Sequence, residues 1–189
     1  MITISDYLKG VAFYPRELDD AVLDILTPQF YKKEPLFKPG RVCPYIWYLQ
    51  SGLVAIREER GDKDIYHWLL EAPAIIIEPN SSLDGLKPAT MFIEPIKPCI
   101  TKRATILDVR KAIRQYPEFQ THYEIINAMY RRLQNEREAD LRALKPEDRF
   151  HKLWTKQRTL FDHTPDKIMM SYINISHGPF YDCKRKYIA

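Results

Sequence analysis

The stretch that decides the fold is Pro165-Asp166-Lys167-Ile168-Met169-Met170-Ser171-Tyr172-Ile173-Asn174-Ile175-Ser176-His177-Gly178-Pro179-Phe180-Tyr181-Asp182-Cys183-Lys184-Arg185-Lys186. His163-Thr164-Pro165-Asp166 opens a helix, and Ile168, Met169, Tyr172 and Ile173 give it one apolar face. Asn174-Ile175-Ser176 reads as a turn, with Ser176 as the N-cap of a second helix. There Phe180, Cys183 and Tyr187 point inward and Tyr181, Lys184, Arg185 and Lys186 outward. Pro179 is tolerated in the first turn, where backbone N–H groups have no intrahelical partner. Helix, short turn, then a helix with a basic outer face is a helix-turn-helix pattern.

Upstream, Lys145-Pro146-Glu147-Asp148 starts another helix, continuing through Phe150, Leu153, Trp154 and Leu160. Three short helices are therefore expected over 144–189. From Glu118 to Lys145 there is no Pro or Gly, and Phe119, Ile126, Met129 and Leu133 recur at helical spacing. This predicts an amphipathic helix of roughly six or seven turns. It is longer than a small sheet domain covers, so its apolar stripe (Phe119, Ile126, Met129, Leu133) calls for a second copy of itself, making a homodimer. The alternative is that the C-terminal module covers the stripe within one chain.

The front half is punctuated: nine of fourteen prolines lie between Pro28 and Pro98. Between them sit short runs: Tyr45–Leu49, Leu53–Arg57, Ile65–Leu69, Ala74–Ile77, Met91–Ile93 and Lys102–Ile106. With turns at Gln50-Ser51-Gly52 and Arg60-Gly61-Asp62, these read as an antiparallel sandwich or roll. Leu18, Val22, Ile25 and Leu26 mark one face of a short helix before it. The fold class is α+β: an antiparallel β-roll (double-stranded β-helix or jelly-roll) over 1–117, a long helix over 118–143, and a small all-α module over 144–189.

The 189 residues carry a net charge of +4. Residues 145–189 hold nine Lys and Arg against five Asp and Glu, and the first 144 residues are balanced. The excess thus sits in the last quarter, which suggests a second module with a polyanion partner, while on charge alone a small soluble helical domain with a basic tail is the favoured reading. No apolar run approaches the ~20 residues of a membrane span, and the first residues do not resemble a secretory signal. Three scattered cysteines, Cys43, Cys99 and Cys183, form neither a disulfide framework nor a metal knuckle. The expected location is cytoplasmic, with no membrane partner. No Gly-rich phosphate loop, paired metal-ligand spacing or nucleophile-histidine arrangement is found, so no enzyme, catalytic residue or metal site is expected.

The chain resembles the Crp/Fnr bacterial regulators. Tyr45-Ile46-Trp47-Tyr48-Leu49-Gln50-Ser51-Gly52-Leu53-Val54 is similar to the family's roll hairpin. Tyr116-Pro117-Glu118-Phe119 and Arg131-Arg132-Leu133-Gln134 resemble its dimerisation helix. Leu144-Lys145-Pro146-Glu147-Asp148-Arg149-Phe150 and Pro165–Ser176 resemble the start of its DNA-binding domain and the helix and turn before its recognition helix. The resemblance implies a cyclic-nucleotide-binding-like roll, a homodimer, and duplex DNA and RNA polymerase as partners. It places DNA contacts at Ser176, His177, Tyr181, Lys184, Arg185 and Lys186, and puts Asn135 and Arg137 where ligand meets the long helix.

The departures bear on function. Members that bind cyclic AMP carry Gly-Glu and then Arg-Ser/Thr-Ala, because a buried cyclic phosphate needs an arginine fork. Here the matching residues, Ile77 to Phe92, have no Gly-Glu, and Ala89 or its neighbour stands in place of the arginine. Cyclic AMP is therefore not expected, nor is any other cofactor. Another small polar ligand would use Asn80, Ser81, Ser82 and Thr90 with Asn135 and Arg137. No cysteine precedes Cys43, against iron–sulfur sensing, and His67 alone in a strand does not make a haem site. Asp182 stands where the recognition helix usually has an arginine. The second reading is thus a ligand-binding or scaffold protein whose DNA function has degenerated.

Overall fold

The computed structural model describes residues 2–78 and 87–188. Two short helices, α1 (Ile4–Val11) and α2 (Leu18–Asp24), lead into strands β1 (Thr27–Tyr31), β2 (Tyr45–Arg60), β3 (Lys63–Glu71), β4 (Ala74–Ile77) and β5 (Phe92–Thr105). The sheet is antiparallel, ordered β1-β5-β2-β3, with β4 also paired to β2. Helices α3 (Ile106–Gln115) and α4 (Glu118–Ala143) follow, then α5 (Pro146–Lys156), α6 (Arg158–His163), α7 (Asp166–Ile173) and α8 (His177–Tyr187). The caps are local: Thr3 Oγ1 accepts from the Asp6 N–H and Thr105 Oγ1 from the Asp108 N–H, satisfying orphan donors of α1 and α3.

β2 organises the molecule because both of its faces are covered. Trp47, Leu49, Val54 and Ile56 point into the roll, where they meet Trp68, Ile76 and Ile93. On the other face Tyr48 lies under α1 and α2, while Leu53 and Ala55 lie under the C-terminal helices. Gln50-Ser51-Gly52, expected as a turn, is instead a run of bulges within this single strand. Gly52 has φ of +103°, and a Cβ there would sit 2.5 Å from the Pro98 carbonyl oxygen, so the strand kinks against β5 without reversing. The reversal comes at Gly61-Asp62, between Arg60 and Lys63, as expected. Phe92-Ile93 of one run and Lys102–Thr105 of the next are likewise parts of one strand, β5, while Ile106 opens α3.

The expected first helix of the tail is broken at Gln157, whose φ and ψ of −143° and 57° divide α5 from α6, so the tail has four helices rather than three. Its core is Phe150, Leu160, Met169, Ile173, Ile175, Phe180 and Cys183, continuous with Leu53, Ala55, Tyr66 and Leu69 of the roll. Phe150 is central, with ring centroids 4.9 Å from Phe161 and 5.5 Å from Phe180.

Candidate nucleic-acid interface

α7 ends at Asn174, the one non-glycine residue with positive φ (56°) among the described residues. Asparagine tolerates this left-handed cap better than other side chains. The Ile175 N–H then reaches back to the Met170 carbonyl at 3.0 Å, closing the turn, and Ser176 adopts the extended N-cap conformation of α8. Ser176 occupies the expected position, but its side chain makes no capping bond and is exposed. Arg149 ties the turn down. Its Nε donates to the Ile173 carbonyl (2.8 Å), Nη2 to Asn174 (2.6 Å) and Nη1 to Leu144 (2.6 Å). Sequence reasoning assigned Arg149 no role, since its partners are backbone carbonyls whose residue types carry no signal.

α8 buries Phe180 and Cys183 and turns His177, Asp182, Arg185 and Lys186 to solvent. Tyr181 and Lys184, expected to point outward, are half-buried and bend back to Asp166 at the start of α7, at 2.9 Å each. Arg185 pairs with Asp182, and Lys186 with Glu147 at 2.6 Å. The Glu147 carboxylate holds the Lys186 ammonium well above its ordinary range, and the Asp166 carboxylate raises the Tyr181 hydroxyl. All three predicted cations are thus carboxylate-paired. Two of the pairs lie on exposed side chains, where solvent and salt screen such contacts.

The module's other side is fixed to the roll. Ser171 Oγ donates to the Asp64 carbonyl (2.7 Å), and Arg137 Nη2 donates to the carbonyls of Tyr66 (2.8 Å) and Tyr172 (3.1 Å). Glu71 accepts from Thr159 Oγ1 at 2.6 Å and meets His163 Nδ1 at 2.7 Å.

The expected dimer stripe is split. Ile126 is buried, and Phe119 packs with Tyr116 in the core under α1 and α2, because the N-terminal helices cover the first half of α4. Tyr130 bonds to the Ile75 carbonyl, pinning the middle of α4 to β4. Met129 and Leu133 remain, each 46% exposed.

Of the predicted ligand residues, Asn80, Ser81 and Ser82 lie outside the described residues. Thr90 and Asn135 are exposed, and Arg137 sits at the junction of roll, α4 and α7. The structure does not bring these three together in the roll, whose interior is occupied by Trp47, Leu49, Val54, Ile56, Trp68, Ile76 and Ile93. His67 rests 3.4 Å from Glu58 and against the Trp68 ring, and burial lowers its pKa. Among the described residues, no three His, Cys, Asp or Glu side chains converge as a metal site, and no helix is long and apolar enough to cross a membrane.

No family model and no curated protein matches the sequence. Solved structures do match the coordinates. FixK2 from Bradyrhizobium japonicum superposes with a TM-score of 0.71 at 12% identity, over 86% of this chain and 84% of that one. A protein from Eubacterium rectale assigned to the Crp/Fnr family of transcriptional regulators gives 0.69 at 9% identity, over 93% and 84%. The c-di-GMP responsive global regulator CLP from Xanthomonas campestris gives 0.66 at 13% identity, over 91% of both chains. The chain has a Crp/Fnr-like fold. Within that fold α4 is the long helix, and α7 and α8 are two of the C-terminal helices, joined through the turn at Asn174.

Proposed function

We propose that this chain is a dimeric Crp/Fnr-like transcription regulator that contacts duplex DNA through α8 and does not take cyclic AMP by an arginine phosphate cassette. One observation carries the reading. The α7–Asn174–α8 turn is locked by Arg149 and docked on the roll by its far side, which leaves His177, Arg185 and Lys186 on the exposed face of α8, the two cations in surface ion pairs that a duplex would have to displace. In this reading Met129 and Leu133 meet their counterparts on a second copy, which presents two such faces, and Ser176, His177 and Tyr181 lie nearest to base edges. Regulation of transcription, and contact with RNA polymerase, follow from this reading.

The pairing of Lys184, Arg185 and Lys186 with Asp166, Asp182 and Glu147 favours a second reading, a scaffold of the same fold with degenerate DNA binding. Fluorescence anisotropy with a labelled random duplex at low salt separates the two. The regulator binds, and the double variant Arg185→Glu, Lys186→Glu does not. Absence of binding by the unaltered chain establishes the scaffold.

A further inference from the structure

We propose that the cleft where β3, α4 and the α5–α6 corner meet binds a small oxyanion, a phosphate or carboxylate group, with Arg137 as its anchor. The site lies outside the roll interior, and its test requires no DNA.

Charge balance is the first argument. Arg137 is half-buried, and among the described residues no carboxylate is within ion-pair distance of it, Glu138 acting only through its field. Its Nη2 is shared between two backbone carbonyls, and its guanidinium lies 5.1 Å from the Tyr172 ring centroid. Nε is shielded from solvent and makes no hydrogen bond, and Nη1 makes none with the described residues. Two other arginines show what satisfaction looks like. Arg57 meets Glu59, Asp64 and Glu94, and Arg149 spends three nitrogens on three carbonyls. A half-buried cation with an unsatisfied Nε and no ion-pair partner is stabilised when an acceptor is supplied. Burial pushes the Arg137 pKa down, which an oxyanion beside it would reverse.

The surroundings supply the rest. The cleft has a volume of about 290 Å³, lined by His67, Lys156, Gln157, Thr159 and Tyr172 besides Arg137. That size suits a compact metabolite rather than a dinucleotide. Lys156 is an exposed second cation at the mouth, loosely paired to Glu136 at 4.0 Å. Glu71 also lines the cleft, but its two oxygens are engaged by Thr159 and His163. An oxyanion here would touch the residue that holds the carbonyls of both β3 and α7, and so would sit between sensor and reader.

Inorganic phosphate and acetate, titrated separately into the full chain at constant ionic strength and followed by calorimetry, test the site. The expected result is saturable binding of at least one of them, abolished in Arg137→Gln and weakened several-fold in Lys156→Glu. Phosphate alone or acetate alone saturating supports the site and names its group. If Arg137→Gln does not fold, the Lys156→Glu comparison carries the test. Failure of both anions to saturate, or undiminished binding in every variant that folds, overturns the proposal.

Discussion

Truncating Phe150 to alanine asks whether the reading module is a separate body or part of one folded unit. Phe150 has no solvent exposure and is ringed by Phe161, Phe180 and Tyr187 at 4.9, 5.5 and 6.1 Å. Removing a buried phenylalanine costs about 3–5 kcal/mol. The upper part of that range applies here, since three ring contacts go with it, each ~0.5–1.5 kcal/mol beyond area burial. For a chain of this size 1 kcal/mol moves Tm by roughly 2–4 °C, so about 4–5 kcal/mol corresponds to a fall of roughly 8–20 °C. The informative part is where the fall appears. The cluster around Phe150 runs on into Leu53, Ala55, Tyr66 and Leu69 of the roll. Trp47 and Trp68 belong to the roll core, and Trp154 packs against the Phe150 cluster. Tryptophan fluorescence and near-UV circular dichroism should therefore shift together, in one cooperative transition. Two transitions, with only the Trp154 signal displaced, would refute the shared core and the docked position of the module.

Other outcomes follow from the same geometry. Met129→Asp with Leu133→Asp places charges on the uncovered stretch of α4 and should yield a folded monomer in sedimentation velocity; a dimer of unchanged affinity would place the interface elsewhere. Burial raises the Cys43 thiol from 9.0 to about 12 and the Cys99 thiol to about 11, with desolvation the main cause of each. Both should resist a thiol reagent at pH 8 in the native chain and react on unfolding. A folded-state pKa above the unfolded one contributes stability that is complete below pH 9 and declines as pH rises toward 12, so denaturant midpoints should fall across that window. Cyclic AMP at micromolar concentration should leave Tm unchanged, whereas a clear rise would show that the roll takes the nucleotide without the arginine fork.

The C-terminal half was legible because its signals are local. Pro146 and Pro165 mark helix starts, Asn174-Ile175-Ser176 marks the turn, and the unbroken run from Glu118 yields α4. The front half was legible as strands but not as these strands. In β2 the residues Leu53-Val54-Ala55-Ile56 alternate between two buried faces, so polar alternation, the usual mark of a half-covered strand, is missing. Gln50-Ser51-Gly52 has the composition of a turn, and only the approach of Pro98 from β5 makes it a bulge. On α4, Phe119 and Ile126 share a helical stripe with Met129 and Leu133, yet tertiary packing assigns the two pairs to different neighbours. At the candidate interface, helical spacing made the outward positions of Arg185 and Lys186 readable, whereas Tyr181 and Lys184, read as outward by the same spacing, are half-buried. The pairing of Lys186 with Glu147 and of Tyr181 and Lys184 with Asp166 was not readable, because those contacts cross between helices. Arg137 and Arg149 act on backbone carbonyls, which leave no trace in residue type.

The most direct test of the central claim is the salt dependence of binding to duplex DNA. Two α8 faces in a dimer, each offering Arg185 and Lys186, neutralise four phosphates, and at about −0.9 per phosphate the slope of log K against log salt is about −3.6. The account predicts a slope of that order for the unaltered chain, largely lost in the double variant Arg185→Glu, Lys186→Glu. A slope near zero, or one that survives the charge reversal, would contradict it.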